Sequence, residues 1–122
     1  MFIEKREGQE HMKGLYPPKV QKAVDALLTS PAVCTPILRQ AIEAYAARLW
    51  GGNREAQEIP ADLVDYVSKV ALYAYKTTDE DIQRLKEAGY SEDAIFEITL
   101  CASMGAGLAR LEHGLTALKG GR

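Results

Sequence analysis

The segment from Ile98 to Leu115, ITLCASMGAGLARLEHGL, constrains the fold more than any other part of the chain. It carries no charge between Ile98 and Ala109. Its small residues recur at helical spacing on one face: Ala102, Gly105, Ala106 and Ala109. A glycine inside a helix costs about 1 kcal/mol relative to alanine, which is tolerated where a second helix approaches closely. A phosphate-binding loop would instead place glycine at a helix start. The segment therefore predicts tight helix–helix packing, within the chain or between subunits.

Apolar residues in the rest of the chain also recur with a helical period, and no stretch shows the alternation of a strand. The expected helices begin near Pro17, near Pro31 or Pro36, near Pro60, at Thr78–Asp81 and after Ser91. The second start is open because a capping residue precedes proline at both positions. We expect an all-α fold of about five helices, with residues 1–16 as a flexible N-terminal arm and residues 17–122 as a single domain.

The composition is that of an ordinary globular domain, with 47% hydrophobic and 26% charged residues and a formal net charge of -2. Because no basic block occurs, nucleic acid is not expected as a partner. The apolar runs are shorter than the ~20 residues that span a bilayer. The first residues also lack the apolar core of a signal peptide. We therefore expect no membrane association and a cytoplasmic location.

The two cysteines, Cys34 and Cys101, form no C-x-x-C motif and no cluster with metal-ligand spacing, so neither a metal nor a cofactor is expected. Cys101 and His113 cannot pair on one helix, since they lie about 18 Å apart along the axis. The apolar neighbours of Cys101 indicate a core thiol, whereas Cys34 lies near a helix start that favours a thiolate. Redox action through either thiol is a secondary hypothesis.

Three ionisable residues of the last helix are candidates for acid–base and anion-binding roles: Glu97, Arg110 and His113. A buried Glu97 would have a raised pKa suited to proton transfer, and an ion pair is the structural alternative. Arg110 binds either a carboxylate ligand or a carboxylate of the fold. His113 lies near the helix end, where a cation is favoured and a surface position is the alternative. Because Glu97 and Arg110 are 13 positions apart, they lie on different faces of the helix.

A longer pattern runs from Thr77 to Leu115. Its residues are Thr78-Asp79-Glu80-Asp81, Leu85, Ala88-Gly89-Tyr90-Ser91, Asp93, Ile95, Glu97, Arg110 and Gly114-Leu115. The pattern resembles the C-terminal half of peroxidase-related members of the alkylhydroperoxidase D-like and carboxymuconolactone decarboxylase superfamily. With the preceding helix, the resemblance spans residues 60–118, about half the chain.

The peroxidases of that superfamily carry C-x-x-C-x-x-x-H on the helix before the Ala-Gly-Tyr-Ser-type turn. Here those three positions hold Ala74, Thr77 and Asp81. A disulfide peroxidase needs an attacking and a resolving cysteine close together. The resemblance therefore implies the scaffold without the thiol mechanism.

The resemblance also implies a homo-oligomer, either a dimer, a trimer or a hexamer, and leaves two functions open. One is an enzyme acting on a small organic acid or peroxide between helices, with Glu97, Arg110 and His113 as catalytic groups. A pocket that holds at least two of these groups with perturbed pKa values would favour it. The other is a non-catalytic oligomeric scaffold or small-molecule-binding module, favoured by an apolar subunit interface without a convergent polar cleft.

Overall fold

The computed structural model describes residues 16–120. Its five α-helices are α1 (Pro18–Thr29), α2 (Pro36–Leu49), α3 (Ala61–Tyr73), α4 (Asp79–Glu87) and α5 (Glu92–Leu118). A short 3-10 turn, Ala74–Lys76, follows α3 directly. No strand occurs within this part of the chain. The prediction of an all-α fold with about five helices is confirmed.

Local capping contacts define three of the helix starts. The Thr78 hydroxyl accepts the backbone N–H of Asp81, and the Asp81 carboxylate accepts the backbone N–H of Thr78, so this pair forms a capping box. Ser91 caps α5 with its hydroxyl alone, which accepts the backbone N–H of Ala94. Thr35 caps α2, whose first residue is Pro36. The second of the two proline signals is therefore the one that starts α2.

The most extensive helix contact joins α2 to α5, and small residues bring the two backbones together. A Cβ added at Gly105 would lie 2.2 Å from the backbone oxygen of Glu43. Glycine is therefore required at this crossing, because any side chain would force the helices apart. Ala46 and Ala47 of α2 are fully buried at the same contact. The predicted close packing of the small-residue face is confirmed, and its partner is a helix of the same chain.

The hydrophobic core lies around α5, which packs against α2, α3 and α4. Its fully buried aliphatic residues include Leu28, Ile42, Leu63, Val67 and Ile98. By length and composition, α5 also satisfies the requirement for a membrane-crossing helix. Half of its apolar window is buried inside the fold, however, as for the central helix of a packed domain.

The predicted flexible arm, residues 1–16, lies outside the described residues except for its last member, Tyr16. Tyr16 is 5% exposed, and its hydroxyl donates a hydrogen bond to the Glu112 carboxylate of α5 at 2.7 Å. The described part of the chain therefore begins with a side chain that is anchored in the core.

Candidate functional site

A groove of about 620 Å³ lies between α3 and α4, and its wall carries one buried carboxylate that binds two cations. The Lys69 ammonium donates to both oxygens of Asp81, at 2.9 and 3.0 Å. The Arg84 guanidinium donates to one of them at 2.6 Å. Asp81 is 5% exposed, whereas the side chains of Lys69 and Arg84 are 32% and 71% exposed. The cluster therefore presents excess positive charge to the groove.

Asp81 is ionised in this cluster. Its hydrogen bond from Lys69, followed by that from the Thr78 backbone, holds the pKa of the carboxyl far below its usual value. Its oxygens are occupied by the capping box and by the two cations. Asp81 therefore orients Lys69 and Arg84 and is a poor proton donor.

The two ends of the groove differ in charge. Lys69 and Lys76 line one end, Asp62 lines the other, and Asp65 lies between them, one helical turn before Lys69. Asp62 and Lys69 are seven positions apart on α3, or about 10 Å along the helix. The Tyr90 hydroxyl donates a hydrogen bond to Asp62 at 2.7 Å and so occupies one acceptor at the acidic end. A ligand with a carboxylate therefore fits the cationic end.

Glu97, the first predicted catalytic residue, has a structural contact. Its carboxylate accepts the backbone N–H of Cys34 at 2.7 Å and that of Val33 at 3.0 Å. Partial burial alone would raise the pKa of Glu97, but these two N–H groups, Cys34 foremost, outweigh it and lower the pKa. Glu97 thereby fixes the loop before α2 to α5. Among residues 16–120 no ion pair to Glu97 within 4 Å is found, and its pKa is lowered rather than raised.

Arg110 and His113 meet at Trp50, the last residue before the Gly51-Gly52 turn. The Arg110 guanidinium lies over the indole ring, 4.8 Å from its centroid. A ring nitrogen of His113 lies 3.2 Å from the Trp50 carbonyl oxygen. Arg110 also lines a groove of about 440 Å³ between α3 and α5. Both predicted residues therefore contact Trp50, Arg110 through its ring and His113 through its backbone carbonyl, and neither contact involves a carboxylate.

Glu97 does not join them. The 13 positions that separate Glu97 from Arg110 correspond to about 20 Å along α5. The three predicted catalytic residues therefore do not converge on one pocket.

Both thiols lie in the interior. Cys34 and Cys101 are free cysteines, 5% and 0% exposed. Burial, together with the Glu97 carboxylate, raises the pKa of Cys34 to about 11. Burial raises the pKa of Cys101 to about 12. A thiol with these properties is a poor nucleophile at neutral pH.

A buried charge cluster was missed by sequence reasoning. Arg54, in the loop between α2 and α3, donates to both oxygens of Glu43 and pairs with Glu112 at 2.9 Å. Burial by itself lowers the pKa of Arg54, but the hydrogen bonds and charge of the two glutamates outweigh it and raise the pKa. Tyr16 completes the cluster by donating to the same Glu112 oxygen that pairs with Arg54. No local signal marks this cluster, because its members lie on four separate segments.

No protein-family model, no curated protein and no solved structure matches this chain. Within residues 16–120, no group of three His, Cys, Asp or Glu side chains is placed to hold a metal ion. The candidate site therefore rests on the chemistry of the α3–α4 groove.

Proposed function

We propose that this chain is a thiol-independent member of the alkylhydroperoxidase D-like and carboxymuconolactone decarboxylase superfamily that binds a small organic acid. The main support for this proposal is the Asp81 cluster, in which one buried carboxylate fixes two partly exposed cations on the groove wall. A guanidinium and an ammonium held in this way bind a carboxylate with charge-assisted hydrogen bonds. The bound acid would lie between α3 and α4 with its carboxylate at the Lys69 end.

The resemblance supports the same location. Asp81 occupies the position at which the peroxidases of the superfamily carry the motif histidine, and Thr77 occupies that of the second cysteine. Both residues adjoin the start of α4, beside the groove. In this proposal the binding site lies where the peroxidases of the superfamily have their active site. Ion pairing with the ligand takes the place of thiol chemistry there.

The state of the ionisable groups favours binding over thiol chemistry. Both cysteines are buried with raised pKa values, and neither lines the α3–α4 groove. Asp81 is ionised and Glu97 is occupied by backbone donors. A binding module with a preorganised cationic subsite needs none of these groups to react.

The test is a titration with succinate and with benzoate, followed by backbone amide shifts in NMR. We expect saturable shifts confined to α3 and α4. Lys69→Met should weaken binding by about tenfold or more, which equals about 1.4 kcal/mol. The matched control is Lys86→Met, since Lys86 pairs with Glu92 outside the groove. Shifts that map elsewhere, an absence of binding to either acid, or equal affinity of the two variants would overturn the proposal.

A second candidate, an enzyme that transforms such an acid, is favoured by one observation. Lys69 is fixed by a buried carboxylate and partly exposed to the groove, so its charge is preorganised. A fixed cation of this kind stabilises negative charge that develops on a bound acid. Proton NMR of the same acids incubated with the protein distinguishes the two functions, because only an enzyme converts them into product.

A further inference from the structure

One face of α5 is apolar and exposed along nearly the whole helix. Four large side chains project from it: Phe96, Leu100, Leu111 and Leu118. Phe96 is 63% exposed and Leu118 is 83% exposed. Ser103, Gly107 and Gly114 lie between them on the same face. At 100° per residue, these seven positions fall within a stripe about 80° wide and about 33 Å long.

The stripe is symmetric about Gly107. On each side of Gly107 the next positions follow at spacings of four, three and four residues. A two-fold axis at Gly107 therefore places Phe96 opposite Leu118 of a second copy, with large residues opposite small ones between them. A Cβ added at Gly107 or Gly114 would meet nothing within 4 Å, so this face is open. Isologous contacts of this kind are the commonest in homodimers.

Charge selects the antiparallel orientation. The first turn of α5 is acidic, with Glu92 and Asp93 exposed. The last turn of α5 is followed by exposed Lys119. In the antiparallel register Lys119 of one copy lies beside the acidic first turn of the other, and the two helix dipoles oppose each other, whereas parallel pairing brings the two acidic turns together.

Two shallow grooves widen the same face. One, of about 270 Å³, is lined by Phe96 and Ile95 of α5 and by Ile82 of α4. The other, of about 440 Å³, is lined by Ser103, Gly107 and Arg110. The antiparallel register places Leu118 of a second copy at the first groove and Leu111 at the second.

We propose that this face binds a second copy of the chain, with two α5 helices antiparallel and crossing at Gly107. The dimer is independent of the proposed function, since the α3–α4 groove is complete in one chain. The apolar stripe of α5 forms the interface, and the charges at the two ends of α5 favour the antiparallel orientation.

The test uses two matched cysteine variants, Gly107→Cys and Gly114→Cys. Both positions are exposed glycines of α5 with open space for a side chain, so both variants should fold. In the antiparallel dimer, two copies of position 107 meet, whereas two copies of position 114 lie about 21 Å apart. Under mild oxidation we expect a disulfide dimer from Gly107→Cys and none from Gly114→Cys, because a disulfide needs Cα atoms within about 7 Å.

Sedimentation of the unmodified protein is the second readout, and we expect twice the chain mass of 13.4 kDa. A monomer at high concentration overturns the proposal, as does a monomer that binds vesicles of neutral lipid through α5. Cross-linking of both variants indicates parallel helices, and a dimer that cross-links at neither position indicates another interface. Each of these results overturns the antiparallel arrangement.

Discussion

Two charge clusters of this protein have similar residues and opposite surroundings. At the α2–α5 contact, two carboxylates share Arg54, and the Arg54 and Glu43 side chains are fully enclosed. At the α3–α4 groove, two cations share Asp81, and both cations reach solvent. Enclosed charges are costly to separate and therefore specify one packing. Partly exposed cations exchange water for a ligand at small cost, so only the second cluster is suited to binding.

The largest expected effect is a difference between the two clusters in the free energy of unfolding that is lost when one cation is removed. Arg54→Met leaves Glu43 and Glu112 without their shared cation, and we expect a loss of about 3–5 kcal/mol in the free energy of unfolding. The matched variant at the groove, Arg84→Met, should cost about 1 kcal/mol or less because Arg84 is largely exposed. Urea denaturation measures both, and equal losses would remove the distinction between the two clusters.

The Arg54 variant also has a pH signature. Two neighbouring buried carboxylates without a cation raise the pKa of at least one of them above its unfolded value. The folded variant then binds more protons than the unfolded chain, so its stability should increase as the pH falls from 8 to about 5. A merely repacked interior would not show this gain.

Thiol labelling tests the enclosed character of the interior. With pKa values of about 11 and about 12, Cys34 and Cys101 should react with a disulfide reagent at least about 100-fold more slowly in the native protein than in urea. Cys34→Ser and Cys101→Ser assign the two rates. A native thiol that titrates below about 8.5 would instead restore the redox hypothesis.

The close approach of α2 and α5 gives the next effect. Gly105→Ala places a methyl group against the Glu43 backbone oxygen, and overpacking of this kind typically costs about 1–3 kcal/mol. Gly114→Ala on the same helix is the control at concentrations that keep the chain monomeric, since its added Cβ meets nothing within one chain and alanine favours the helix. Thermal unfolding compares the two. A neutral Gly105→Ala would mean that the helices separate easily.

The smallest effect concerns Asp81. Asp81→Asn removes the charge of the capping-box carboxylate and its ion pairs, and we expect a loss of about 1–2 kcal/mol at neutral pH. Because the pKa of Asp81 is lowered on folding, this contribution is fully present above the unfolded value of about 4 and disappears as the pH falls through the lower folded value. The wild-type advantage in urea should therefore shrink in acid. Asp79→Asn in the same turn is the control.

Local signals explain how far the sequence predicts this fold. Thr78 and Asp81 lie three positions apart, so their capping box follows from the sequence alone. The small residues around Gly105 likewise predict a close helix contact without naming α2. Helix number and packing type are therefore accessible from neighbours along the chain.

Long-range contacts explain what the sequence does not predict. Arg54 lies in a polar loop, and its partners Glu43 and Glu112 are 11 and 58 positions away. Glu97 binds backbone N–H groups more than 60 positions away, which no residue pattern encodes. The role of an isolated charge therefore depends on which segment folds against it.

The contact between Glu43 and Gly105 has a consequence for biosynthesis. The chain is made from its N-terminus, so α2 is complete long before α5 exists. Until α5 follows, α2 has neither its main apolar partner nor the Glu112 side of its charge cluster. The native interior can therefore form only after α5 has been synthesised and packs against the four helices that precede it.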